Sequence, residues 1–395
     1  MLQRLVARSS VAMLAACGPT STADLTLSDL VRSEVFDVQE LAATEDGTLY
    51  AAGAVGVAVL GLRGWGVPSV LRSDDGGTSW TGAAVPQDPR RVFVRFTGLA
   101  AEKGGTTVYL TGARQSQPFG DLEGVIHRSD DGGRRWTRID GPRGDPYVSS
   151  VVVGRGGNVY VYTCEGLYRS DDHGSSWIHT ELYRHRILFH HADQCDVAAL
   201  ARTTADSEGN VYAPAAGPEG EGIYRSMDGR DWDRLPLPAS RWPYFVSANR
   251  SRGIAITARF EGNQRVFVSD DAGVSWKEVG LPAEVVSRGA RALAIGERGE
   301  LYLEAFPGLL ASGGLFRSSD GGRTWRRLAD LPLPWLPAKT TAMVIGRDDT
   351  LYVGIGVDEQ MSSWGQVGGR ILSSKDGGET WATLRVLERL ERPIE

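Results

Sequence analysis

Seven aspartates recur at matched positions along the chain: Asp75, Asp131, Asp172, Asp228, Asp271, Asp320 and Asp376. Each lies two residues after a serine, and five of them lie four residues before a serine or threonine. A carboxylate flanked by hydroxyls is the donor set of a hard-cation site, or of a carboxylate acting as acid or base. Repetition argues against that chemistry here. Every copy occupies the same frame, Ser-x-Asp-x-Gly-x-Ser/Thr-Trp, ending at Trp80, Trp136, Trp177, Trp232, Trp276, Trp325 and Trp381. A feature present in every unit belongs to the scaffold, because a catalytic centre is needed once. Asp and Ser oxygens can instead accept hydrogen bonds from nearby backbone N–H groups, and Gly accepts the positive φ of a tight turn. The second copy has Arg135 where the hydroxyl is expected, and the fourth is one residue short.

Two other groupings could do chemistry. His185, His190, His191 and Asp193 crowd the segment HRILFHHADQCD, a donor set suited to Zn or another divalent ion. The alternative is a polar loop, since neighbouring residues such as His190 and His191 often point in opposite directions. Glycoside cleavage requires two carboxylates across the scissile bond. Glu40, Asp121, Glu123, Glu165, Glu261, Glu304 and Asp358 are scattered candidates, and the sequence pairs none of them. No nucleophile elbow or phosphate-cradling glycine loop is present.

The elements that position these residues follow from the repeat. Successive motif tryptophans lie 41 to 56 positions apart, a period typical of repeat architectures. Each motif follows a short apolar run. Upstream lies a second run carrying a tyrosine in six of seven units: Tyr50, Tyr109, Tyr160, Tyr212, Tyr302 and Tyr352. A third run, such as Val151–Val153, precedes that. These runs are rich in Val, Ile and Tyr and are broken by Gly and Asp, which marks strands. With one more strand after each Trp, every unit supplies four. The expected fold is all-β, a seven-bladed β-propeller with four antiparallel strands per blade and the motif between strands three and four.

The motif resembles the Asp-box, or BNR repeat, of sialidases, sortilin-type receptors, xyloglucanases and photosystem II assembly factors. The resemblance runs from about residue 34 to the C-terminus and implies a propeller. It says little about activity, because unrelated functions share the repeat. A sialidase-like site would need three arginines, a Tyr–Glu nucleophile pair and an acidic proton donor. The usual Arg-Ile-Pro segment is absent, since residues 34–72 contain only Arg63 and Arg72. Chain length and motif number look more like the photosystem II assembly factors, which the resemblance describes as non-catalytic binders of partner proteins.

A formal charge of −6 argues against a general nucleic-acid binder. Arg4 and Arg8, the apolar stretch Val11–Ala16 and then Cys17 form a secretory pattern ending in a bacterial lipobox. The expected organisation is a signal peptide over 1–16, a flexible tether over 17–33 lipidated at Cys17, and the propeller over 34–395. The protein is expected outside the cytoplasm, anchored to a bacterial membrane (the outer one) or secreted. Cys164 and Cys195 then remain as an even pair in an oxidising compartment. Topology places both on the face opposite the motif turns, in adjoining blades. They form a disulfide, or else two buried thiols.

Any binding site belongs on that same face. Trp65 and Trp364 lie in long insertions of blades 1 and 7, joined by Phe119 and Phe306 from blades 2 and 6. Trp242 and Tyr244 are further candidates. Exposed apolar clusters of this kind mark partner surfaces, unless the loops pack on one another. The expected function is a non-catalytic binding or assembly scaffold of the cell envelope, a monomer without cofactor that recognises a protein or glycan. The alternative is a glycoside hydrolase, sialidase-like or xyloglucanase-like, acting on extracellular glycans.

Overall fold

The computed structural model describes residues 34–57, 67–88, 91–103, 106–116, 122–143, 147–183, 202–237, 242–249, 251, 253–260, 263–305, 314–328, 338–357 and 370–384. Twenty-eight strands occur among them, with one α-helix, Ala283–Arg288. The strands fall in chain order into units of four, spanning 34–84, 91–139, 148–183, 204–234, 242–279, 290–327 and 338–384. Within each unit neighbouring strands pair antiparallel. Five units are separate four-stranded sheets. The third and fourth join into one eight-stranded sheet through the single pair Tyr183↔Ala216.

The first strand of each unit lies against the first strands of the units on either side, and the last of them, Ala338–Ile345, returns to the first, Glu34–Ala43. The architecture is a β-propeller. Its core is divided among the seams between units. Tyr50, Val70, Leu110 and Trp136 fill the seam between the first two units. Phe36, Val38, Leu71, Tyr352 and Ile371 fill the seam where the last unit meets the first. Among the described residues the ring therefore closes by side-chain packing, without a strand exchanged between units.

The repeated turns form as their residue types dictate. Ser73 Oγ accepts from Gly77 N at 2.8 Å and donates to Asp75 Oδ1 at 2.8 Å. Asp75 Oδ1 also accepts from the N–H groups of Thr78 and Ser79, at 2.9 and 2.8 Å, and Ser79 Oγ donates to Oδ2 at 2.8 Å. Where Arg135 replaces the hydroxyl, its backbone N–H still reaches Asp131 Oδ1 at 2.8 Å. The shortened fourth turn survives by a register change: Asp228 Oδ1 accepts from Arg230 and Asp231 N–H instead. The bonds to Ser176 and Ser275 pull the exposed Asp172 and Asp271 carboxyls down to about 2.

The second glycine of the turn faces the preceding unit. Gly77 has φ +88°, and a Cβ there would lie 2.5 Å from Leu384 Cδ1 of the last unit. Gly273 would meet Leu235 Cδ1 at 2.6 Å, and Gly174, Gly322 and Gly378 would collide with Ile139, Val279 and Leu328. Burial of the motif tryptophans is less uniform than the sequence suggests. Trp80 and Trp136 are buried, but Trp177, Trp232, Trp276, Trp325 and Trp381 keep part of their surface in water. The indoles lie at the periphery of the seams. Trp80, Trp136 and Trp276 donate to a glycine carbonyl of their own turn, whereas Trp177 and Trp325 reach back to Asp140 and Gly280.

His127 occupies a position that is Leu71, Tyr168, Tyr224, Phe267, Phe316 or Leu372 in the other units, all buried. Burial pushes this imidazole down to about 4, opposed by the nearby Pro86 carbonyl.

Two predictions follow from the seams. Gly77→Ala should destabilise by about 2–4 kcal/mol, through left-handed strain plus overpacking against Leu384. Gly47→Ala, with φ +96° but nothing within 4 Å, should cost only about 1–2 kcal/mol. Denaturant unfolding of the two variants checks the difference. Because His127 is held neutral, the folded chain binds fewer protons there than the unfolded chain, and stability falls as pH drops from 6.5 towards 4. The loss should reach about 3 kcal/mol at the lower limit. His127→Leu should flatten that limb in unfolding curves taken across the window, leaving the turn aspartates to dominate only below about 4.

Candidate functional site

The chain runs into each first strand from the face opposite the repeated turns, since both the hairpin joining strands one and two and the motif turn lie at the other end. Glu40, inside the first strand of the first unit, meets Arg202, two residues ahead of the strand Thr204–Ala205 in the fourth unit. Arg202 Nη2 donates to Glu40 Oε1 at 2.8 Å and Nη1 to Oε2 at 3.0 Å, a bidentate pair across the ring. Glu40 is buried, and its charge holds the Arg202 guanidinium more firmly protonated than usual. Arg202 keeps 35% of its side-chain surface accessible although protein surrounds it, as expected for a group facing a central cavity.

Further towards the opposite face, Arg95 Nη2 donates to the Tyr147 hydroxyl at 2.7 Å. Tyr147 is buried just ahead of the strand Val148–Val153. Side chains also staple consecutive first strands. Gln39 Oε1 accepts from Phe96 N at 2.7 Å, Thr97 Oγ1 donates to Val148 O at 2.7 Å, and the Ser150 and Thr203 hydroxyls meet at 2.9 Å. The interior of the first four units is thus polar, with two guanidiniums, a phenol and a carboxylate. Such a site can grip an anionic or hydrogen-bonding segment.

Other candidates from the sequence are distributed differently. Trp65, Phe119, Phe306, Trp364, His185, His190, His191, Asp193, Cys17 and Cys195 lie outside the described residues. Trp242 and Tyr244 fall on the backbone of the inner strand Trp242–Ala248. Cys164 follows the strand Val159–Thr163, with Sγ 3.8 Å from the Tyr147 carbonyl. Of the scattered carboxylates, Glu40 is bound by Arg202, Glu123 pairs with Arg114 at 3.3 Å, and Glu165 accepts from the Tyr168 hydroxyl. Glu304 is buried, and Asp121, Glu261 and Asp358 lie outside the described residues. Among the described residues no group of three or more His, Cys, Asp or Glu is placed to hold a metal ion.

One set of residues escaped the sequence reading. In five of seven copies an arginine precedes the motif serine. Arg72 Nη1 donates to Gly132 O of the next unit's turn at 3.0 Å, Arg128 to His173 O at 3.2 Å, Arg169 to Gly229 O at 2.8 Å and Arg225 to Ala272 O at 3.0 Å. Arg317 lies against Gly377 of the last unit in the same way. Arg72 also lies over the Tyr50 ring, its cross-strand partner. The signal was visible as Arg-Ser-x-Asp.

No protein-family model matches this chain. No curated protein matches it either. Solved structures do. YCF48 from Cyanidioschyzon merolae superposes with a TM-score of 0.53 at 19% identity, covering 86% of this chain and 96% of the other. A structure of YCF48 bound to D1 peptide gives 0.51 at 16% identity over 87% and 94%. A streptogramin B lyase gives 0.52 at 12% identity over 87% and 97%. At such identities the likeness is one of fold, and the fold serves both a peptide-bound protein and a lyase.

The ion pair is testable. Arg202→Met should destabilise by about 3 kcal/mol, because it leaves Glu40 buried without its counter-charge. Glu40→Leu combined with Arg202→Met should recover most of that loss in denaturant unfolding. Equal stability of single and double variants would show that the two groups are not coupled.

Proposed function

We propose that the chain is a seven-bladed propeller whose repeated turns are Asp-boxes, and that it acts as a non-catalytic binding platform at the cell envelope. The partner is a protein segment taken on the face opposite the turns. The observation that carries this reading is the one-sided distribution of polar groups. Carboxylates on the turn face are consumed by their own backbone N–H bonds. Arg95, Tyr147 and Arg202 instead gather inside the ring towards the other face, with both Glu40 oxygens engaged by Arg202. The YCF48 structure holding a D1 peptide supports peptide binding by a propeller of similar fold. We carry over that mode and not the photosynthetic partner.

In the same reading Cys17 is lipidated and holds the protein outside the cytoplasm through residues 17–33. Cys164 and Cys195 form a disulfide on the binding face. Trp65, Phe119, Phe306, Trp364, Trp242 and Tyr244 supply the apolar part of the surface.

The test is capture from envelope extract by the purified protein and three variants. Arg95→Ala and the pair Trp65→Ala plus Trp364→Ala should each lose the captured partner by about tenfold, as truncation of an interface anchor does. Val274→Asp, on an exposed residue of the turn face, should retain it. The reverse pattern would place recognition on the turn face and overturn the proposal.

A further inference from the structure

Among the described residues five non-glycine positions have left-handed backbone: Arg143, His173, Glu181, Ala272 and Asp349. His173 and Ala272 stand at the first glycine position of the repeated turns, and Asp349 lies in a hairpin turn, so the local fold accounts for these three. Glu181 (φ +63°) belongs to neither and lies in an outer strand of the third unit, and Arg143 (φ +46°), in a turn of the connection from the second unit, reaches the same rim. There the outer strand Ile178–Tyr183 bulges. Tyr168 pairs with His179 and Gly166 with Tyr183, so two steps on one strand face four on the other. In a regular strand residues four apart are about 13 Å apart. The bulge brings the His179 and Tyr183 rings to 4.7 Å, while Tyr168 meets His179 edge-on at 4.8 Å. Gly166 is required beneath it, because a Cβ there would lie 3.0 Å from His179 Nε2 and collide with the Leu182 carbonyl.

The bulge presents a defined set of groups. Tyr183 is 56% exposed, with its ring tilted against the His179 ring. His179 Nδ1 accepts from Glu181 N at 3.0 Å, so the bulged backbone itself orients the imidazole. Glu165 takes the Tyr168 hydroxyl on Oε2 at 2.5 Å and faces the exposed Arg143 at 3.5 Å, with Oε1 unoccupied among the described residues. Strained backbone persists where the surrounding structure over-determines it, and strained residues and bulges cluster at functional sites.

We infer that this rim cluster is a carbohydrate-binding site, taking one pyranose unit of a neutral glycan. The C–H face of the sugar stacks on Tyr183, Glu165 Oε1 accepts from ring hydroxyls, and the Arg143 guanidinium donates to them. A flat apolar face beside an acceptor and a donor matches the amphipathic ring of a sugar. The site adjoins the partner-binding face, since Cys164 beside Glu165 donates its N–H to the Tyr147 carbonyl, but it uses none of that reading's anchor residues.

The test is titration of the purified protein with maltotetraose, cellotetraose and tetra-N-acetylchitotetraose, following the His179 imidazole by NMR. At least one should bind with a Kd of about 1 mM. Tyr183→Ala should weaken it about tenfold and Glu165→Gln similarly, while Tyr183→Phe should stay within about threefold because it keeps the stacking face. Unchanged thermal unfolding of Tyr183→Ala would establish that the fold is intact. The inference is overturned if no oligosaccharide moves the His179 signal at about 10 mM, or if Tyr183→Ala binds as the parent does. A trilysine peptide shifting that signal where the sugars do not would also overturn it, in favour of a cation–π site.

Discussion

Everything in this ring depends on a glycine that cannot be replaced without moving the neighbouring sheet. Each repeated turn folds back on a serine and an aspartate, and the bare Cα of its second glycine then lies against the unit before it. Gly77 against Leu384 is one instance among several, but it is the one through which the chain's last sheet meets its first. A circular array has no freedom to distribute error. If each unit rotated slightly too far, the final seam would gap, and the apolar cluster of Phe36, Leu71, Tyr352 and Ile371 would be hydrated. Packing tolerance at each glycine is what keeps the angles uniform.

Local interactions explain how much of this was legible in advance. The turn and its positive-φ glycines are specified within about ten residues, and the four-strand unit by a repeat of 41 to 56, so turn chemistry and periodicity reveal them. The shortened fourth copy did not mislead, because Asp228 reaches the same kind of donors by shifting one position. The inter-unit arginines were equally visible as a recurring residue ahead of the serine, but their role was not. Their acceptors are carbonyls in the following unit, and a backbone acceptor leaves no mark on sequence. The central pair was beyond reach for a stronger reason. Glu40 and Arg202 are separated by 162 positions and occur once, so neither spacing nor repetition connects them.

The interior and the rim divide the polar work differently. Inside the ring, charge is compensated across its diameter, which fixes the first and fourth units relative to one another. On the rim of the third unit, strained backbone rather than ion pairing sets the geometry. The two regions use different elements, an inner strand start in one case and an outer strand bulge in the other.

The arginine that reaches into the next turn is missing at two seams. Val268 stands in its place in the fifth unit and Ser373 in the seventh. At the first of these the helix Ala283–Arg288 buries Val285 in the gap, a substitute brace. The closing seam has no such helix among the described residues, and its apolar cluster fills that role. Because the buried cluster of Phe36, Val38, Leu71, Tyr352 and Ile371 is shared between the first and last units, removal of either unit would hydrate the other's half of it.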